Sequence, residues 1–126
     1  MINKQKMQTV AVLGASDKPR RYAYKAIKLL QQHGHAVIPV HPKLAAIEGL
    51  NVIAKLADIQ QNIDTLTLYI GEQRSQLLVD EIVALKPGRV IFNPGTESKL
   101  LEEKLQQAEI TYVLDCTLIM LDSDNF

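Results

Sequence analysis

The chain has 126 residues, enough for one domain with a real core and too few for two. Its 14 Lys and Arg balance 14 Asp and Glu, and 47% of its residues are apolar. This is the composition of an ordinary globular protein, and it excludes a general nucleic-acid binder, which needs a basic surface to neutralise phosphates.

Thr9 to Leu13 is a short apolar run and reads as the first strand. The turn Gly14-Ala15-Ser16 follows it. Ala23, Ala26, Ile27 and Leu30 then recur at helical spacing, with Lys25, Lys28 and Gln32 on the other face. Gly34 stops this helix. Ala36 to Val40 is the second strand and runs into His41-Pro42-Lys43. Between Leu44 and Ile63 a short strand is expected near Asn51-Val52, and a helical turn near Leu56 to Gln60.

Thr65 to Ile70 reads as the fourth strand. A helix follows, with Leu78, Ile82 and Leu85 as its buried stripe, and Lys86-Pro87-Gly88 ends it. Arg89 to Phe92 is the fifth strand. Asn93-Pro94-Gly95-Thr96 is a turn into a third helix, with Thr96 as its cap and Leu101, Leu105 and Ala108 facing inward. Ile110 to Leu114 is the sixth strand. Strands alternating with helices predict a mostly parallel sheet, doubly wound and Rossmann-like, in a single domain over residues 1–126.

That topology puts a ligand outside the carboxyl ends of the strands. The segments there are Gly14 to Pro19, His41 to Lys43, Ile70 to Gln73, Asn93 to Thr96, and Asp115 to Thr117. A strand, a glycine turn and a helix N-terminus in that order form an anion site, with free N–H groups pointing at a phosphate. Ser16 adds a hydroxyl, and Arg20 and Arg21 are unfavourable beside the helix dipole unless an anion is bound. An NAD site carries Asp or Glu after its second strand to hold the ribose hydroxyls. Here Lys43 stands at that place. A cation there points to a nucleotide with a phosphate on its ribose, coenzyme A or NADP.

Other residues have plainer readings. His33, His35 and His41 lack metal-ligand spacing and read as surface residues. Glu102 and Glu103 form a solvated face. Cys116 is the chain's one cysteine, so no internal disulfide framework is expected, and most zinc sites are excluded. It follows the last strand at the ligand edge, where it is either an inert small hydrophobe or a thiol within reach of the ligand. No apolar stretch is long enough to span a bilayer. Met1 to Gln8 is polar and reads as no signal peptide, so the expected compartment is the cytoplasm.

Taken in order, Val10 to Ser16, Arg21, Tyr24, Leu30, His33-Gly34, Val37 to Lys43, Ile47-Glu48-Gly49, Phe92 to Glu97 and Cys116 to Leu121 resemble the small single-domain CoA-binding proteins. That fold is similar to the CoA-binding N-terminal domain of the succinyl-CoA synthetase alpha subunit. The family usually has Asn at the place of His41 and often Ser at the place of Ala23. The resemblance implies that Gly14, Ala15 and Ser16 hold phosphates, Lys43 the phosphorylated ribose, and the loop at Ile70 the adenine. It places Asn93, Pro94 and Gly95 near the pantetheine arm. The synthetase's phosphohistidine lies in a second domain absent from this chain, so no ligase activity is expected of it alone. The ligand is then CoA or an acyl-CoA, and the chain a carrier, a sensor or a subunit of an acyl-CoA enzyme. The rival is an NADP-dependent oxidoreductase, which needs a Tyr-x-x-x-Lys pair near the nicotinamide. Tyr24 and Lys28 have that spacing, but on the first helix.

Overall fold

The computed structural model describes residues 6–126. The reading of Met1 to Gln8 as a polar lead therefore lies mostly outside the described residues. The main strands are β1 (Thr9–Leu13), β2 (Ala36–Val40), β5 (Thr65–Leu68), β6 (Arg89–Phe92) and β7 (Thr111–Leu114). A small hairpin, β3 (Ala46–Ile47) and β4 (Leu50–Asn51), lies between β2 and β5. The helices are α1 (Tyr22–Gln32), α2 (Glu72–Ser75), α3 (Val79–Leu85), α4 (Lys99–Gln107) and α5 (Thr117–Asp122).

The five main strands are parallel and lie in the order β2-β1-β5-β6-β7. Period-two alternation splits their side chains between two cores. On one face Leu13, Leu66, Leu68, Val90 and Phe92 pack with Val79 and Ile82 of α3 and with Leu101 and Leu105 of α4. On the other Val10, Val12, Val37 and Ile91 pack with Ala23, Ile27 and Leu30 of α1 and with Met120 and Leu121 of α5. Helices cover both faces, so the sheet is a doubly wound, Rossmann-like α/β sheet. The winding reverses at β1, because β2 lies on one side of it and β5 on the other.

The short strand expected near Asn51-Val52 is β4, paired antiparallel with β3, and the helical turn expected near Leu56 to Gln60 is a 3₁₀ turn at Leu56–Asp58. Other local expectations change. The helix carrying Leu78, Ile82 and Leu85 is broken into α2, a 3₁₀ turn at Gln76–Leu78, and α3. Only Val79 and Ile82 are buried in α3, and Lys86 ends it in the left-handed conformation just before Pro87. Ala108 is exposed, because it caps the end of α4 instead of lying on its inner face. Ser98, not Thr96, caps the start of α4, its Oγ accepting the Leu101 N–H at 3.2 Å. The segment after Cys116 forms α5, a helix too short for periodicity to reveal.

His35 is the main correction on burial. Read as a surface residue, it is only 6% exposed. Its Nδ1 accepts the Gln8 N–H at 3.0 Å, and its ring lies 5.0 Å from that of Phe126. The Arg89 guanidinium sits over the same Phe126 ring at 4.6 Å. His35 Nε2 and Arg89 Nη2 find no hydrogen-bond partner among the described residues. Both belong to side chains packed on this ring, and for Arg89 the contact is a cation–π one.

Candidate functional site

Two cavities open at the carboxyl ends of β1 and β5, where the winding reverses. The larger is a cleft of about 660 Å³ on the α1 side. The smaller, about 420 Å³, is bordered by Leu56 and Leu78 on the α3 side. Gly14, Ile70 and Arg74 border both.

Gly14 makes the partition possible. Its φ is +89°, and a Cβ built there falls 2.7 Å from Ile70 Cγ2 and 2.8 Å from the Tyr69 carbonyl oxygen. The missing side chain thus lets the end of β1 lie close against Tyr69 and Ile70, just past β5. The turn also differs from the expected strand–glycine–helix unit. α1 begins only at Tyr22, and Ala15 to Arg21 form the loop between. Gly14 and Ala15 both donate their N–H groups to the Val40 carbonyl, at 3.2 and 3.1 Å. They shape the loop and are not free to grip an anion.

The donors that remain free lie further along. Ser16 Oγ accepts the Lys18 N–H at 3.1 Å, which leaves the hydroxyl proton to donate. Arg21 is the N-cap residue of α1 but provides no side-chain cap, and the first turn of the helix holds no acid. Lys18, Arg21, Lys43 and Arg74 all line the cleft and are all exposed. The one ion pair among the described residues is Lys28–Glu48, at 3.8 Å, so these four cations have no carboxylate partner. Unpaired cations converging on an uncapped helix N-terminus make a site suited to phosphate groups.

Lys43 is held in place by its own turn. His41 Nδ1 accepts the N–H groups of Lys43 and Leu44, at 3.0 and 3.1 Å. An Asn side chain bonds the backbone two residues on in the same way. The imidazole therefore fixes this turn by the kind of backbone hydrogen bond that an Asn side chain can make.

Of the residues singled out from sequence, Gly14, Ala15, Ser16, Arg21, His41, Lys43, Ile70, Pro94 and Gly95 border the cleft. Pro42 borders the smaller pocket. Tyr24, Asn93 and Cys116 border neither. The Tyr24 hydroxyl donates to the Glu48 carboxylate at the tip of the β3–β4 hairpin, and this bond raises the phenol's pKa. Asn93 is 2% exposed, and its amide serves the fold. Its Nδ2 donates to Thr67 Oγ1 and the Leu68 carbonyl, and its Oδ1 accepts the Thr117 N–H at 2.9 Å. Cys116 is half-buried at the start of α5.

Asp17, Lys18 and Thr96, in segments expected at the ligand edge, also border the cleft, and so do Tyr22, Tyr69 and Arg74, which sequence reasoning missed. For Tyr69 a signal existed. It alternates with Thr65 and Thr67, so the same pleat faces α1 and α5 and ends at the ligand edge. Burial pushes its phenol pKa up to about 12, with a smaller upward push from the Cys116 thiol and opposing pulls from the hydroxyls of Thr117 and Thr67. Among the described residues no group of His, Cys, Asp and Glu could hold a metal ion, and no helix is long and apolar enough to cross a membrane.

The sequence profile of a family described as "CoA binding domain" matches residues 8–122. This chain belongs to that CoA-binding family. A relative from Bacillus subtilis (strain 168), the uncharacterized protein YneT, is 31% identical over 111 residues, 88% of this chain and 82% of its own. A crystal structure of an uncharacterized protein is similar with a TM-score of 0.91 at 43% identity, covering 97% of this chain and 100% of that one. The structure of cell-free ID.343 from Thermus thermophilus gives a TM-score of 0.87 at 30% identity, over 95% and 91% of the two chains. Membership fits the unpaired cations of the cleft, because a CoA ligand brings a diphosphate and a ribose phosphate to one site.

Proposed function

We propose that this chain binds coenzyme A or an acyl-CoA in the α1-side cleft, as a carrier, a sensor or a subunit, without catalysis of its own. The observation that carries the reading is Lys43, which reaches the cleft from the end of β2, where an acid would serve an NAD ribose. In this reading Lys43 pairs with the ribose phosphate. The Ser16 hydroxyl, Lys18, Arg21 and the first turn of α1 hold the diphosphate. The adenine lies against the loop that begins at Ile70, beside the smaller apolar pocket. The pantetheine arm runs past Pro94 and Gly95, whose turn Asn93 braces from inside. An acyl-CoA enzyme is a natural partner for such a binder, and a cytoplasmic location suits a chain with one cysteine.

The NADP alternative draws on the spacing of Tyr24 and Lys28. Both side chains are engaged with Glu48, which speaks against a role as proton donor and its partner. The two readings separate in a thermal-shift experiment. Only a ligand that prefers the folded state raises its melting temperature. CoA should raise it clearly more than NAD or NADP at equal concentration, and equal or greater stabilisation by NADP would refute the proposal.

A further inference from the structure

The arm end of the cleft holds one donor without an assigned use. Asn93 spends both Nδ2 protons inside the fold, on Thr67 Oγ1 at 2.6 Å and on the Leu68 carbonyl at 2.8 Å. Thr96 Oγ1 donates to the Asn93 carbonyl at 2.7 Å. The Gly95 N–H donates to the Glu97 carboxylate at 3.1 Å. Among the described residues at this end that leaves the hydroxyl of Tyr69, a residue that borders the cleft with Pro94, Gly95 and Thr96.

Tyr69 is also well supported. Its ring packs on the core formed by α1 and α5. Its hydroxyl lies beside those of Thr117 and Thr67, which are themselves bonded at 2.8 Å and fully buried. Burial keeps the phenol protonated at any physiological pH, so it is a neutral donor. A neutral donor in a part-apolar cleft suits an uncharged acceptor, a carbonyl, and not a phosphate, for which four cations lie elsewhere in the cleft.

Resting on the coenzyme A reading above, we propose that the site is built for an acyl thioester, with the Tyr69 hydroxyl donating to the thioester carbonyl. A free thiol at the end of the arm offers no acceptor of comparable strength. A carbonyl there does, and a site that supplies a matched hydrogen bond discriminates against an analogue lacking the group. Tyr69 is then the residue that sets preference for loaded over unloaded carrier.

Isothermal titration with acetyl-CoA, ethyl-CoA and CoA tests this. Ethyl-CoA is a thioether of nearly the same size as acetyl-CoA but lacks the carbonyl, so it separates the hydrogen bond from burial of the extra carbons. The unaltered protein should bind acetyl-CoA about three- to tenfold more tightly than ethyl-CoA, the range of one net hydrogen bond. Tyr69→Phe keeps the ring and should abolish that ratio. A ratio near one in the unaltered protein overturns the proposal, and so does a ratio that survives Tyr69→Phe. Equal weakening of all three ligands also overturns it, because the hydroxyl would then read an amide of the arm. Failure of the unaltered protein to bind any of the three overturns the coenzyme A reading itself, and this proposal with it.

Discussion

The Nδ1 of His41 accepts the Lys43 N–H at 3.0 Å, so the residue just after β2 sets the turn that carries one of the cleft's four cations. The bond makes the two residues distinguishable by mutation. His41→Asn keeps an acceptor at the same place and should change CoA affinity less than about twofold. His41→Ala loosens the turn and should cost about 0.5–1.5 kcal/mol of binding. Lys43→Ala removes the charge and should cost roughly 1.5–3 kcal/mol, about ten- to a hundredfold in affinity for CoA. Dephospho-CoA, which lacks the ribose phosphate, should lose little with Lys43→Ala, whereas Arg21→Ala should weaken both ligands alike. Titration of each variant against both ligands decides it. An equal loss for the two ligands on Lys43→Ala would mean that Lys43 does not read that phosphate.

Two glycines with nearly the same backbone angle should respond differently to alanine. Gly14 has φ +89° and its Cβ would meet the end of β5, while Gly95 has φ +90° and nothing within 4 Å. Gly95→Ala should cost only the conformational term, about 1–2 kcal/mol. Gly14→Ala adds overpacking against backbone and should cost about 2–5 kcal/mol in all. Urea unfolding of the two variants gives the comparison. Equal losses would show that the contact with Tyr69 and Ile70 does not constrain Gly14.

Stability should fall on mild acidification through His35. Burial first, then the charges of His33 and Arg89, hold its pKa below the usual 6.5. The unfolded chain therefore takes up a proton more readily than the folded one. The stabilisation is fully present above the usual histidine value and is lost as pH falls from there through the folded value. Protonation also removes the Nδ1 lone pair that accepts the Gln8 N–H. Chemical denaturation between about pH 5 and 7.5 should show this slope, and His35→Gln, which cannot titrate, should flatten it. A slope unaffected by His35→Gln would assign the acid sensitivity to other groups.

Cys116 should form a mixed disulfide with oxidised CoA. Its thiolate attacks one sulfur of the CoA disulfide, and one CoA leaves as its thiolate. Cys116 is half-buried at the start of α5, outside the cleft wall but near enough to Tyr69 for their charges to interact. Mass spectrometry after incubation should show one CoA adduct, absent from Cys116→Ala. No adduct within hours would mean that the arm end does not reach this thiol and that Cys116 is an inert packing residue.

The order of parallel strands and flanking helices was legible from periodicity, because each element buries one face or one stripe. The break between α2 and α3 was not, since Gln76 to Leu78 differ from a continuous helix in no residue that periodicity registers. His35 was misplaced for a related reason. A lone histidine after a helix-stopping glycine reads as polar surface, and only the packing of Phe126, far along the chain, covers it.

At the site the division is sharper. The residue types at the strand ends were enough to place Lys43, Ser16, Arg21 and the Pro94-Gly95 turn at one edge, because parallel winding sends every strand's carboxyl end there. Which side chains then reach the cleft was decided in three dimensions. Tyr24 bonds Glu48 of the hairpin, Asn93 bonds Thr67 and Thr117, and the Gly14 and Ala15 N–H groups bond Val40. Tyr69, by contrast, borders the cleft. These outcomes depend on pairings between residues distant in sequence, and a hydrogen-bonding group has the same identity in the chain whether the fold consumes it or leaves it for a ligand.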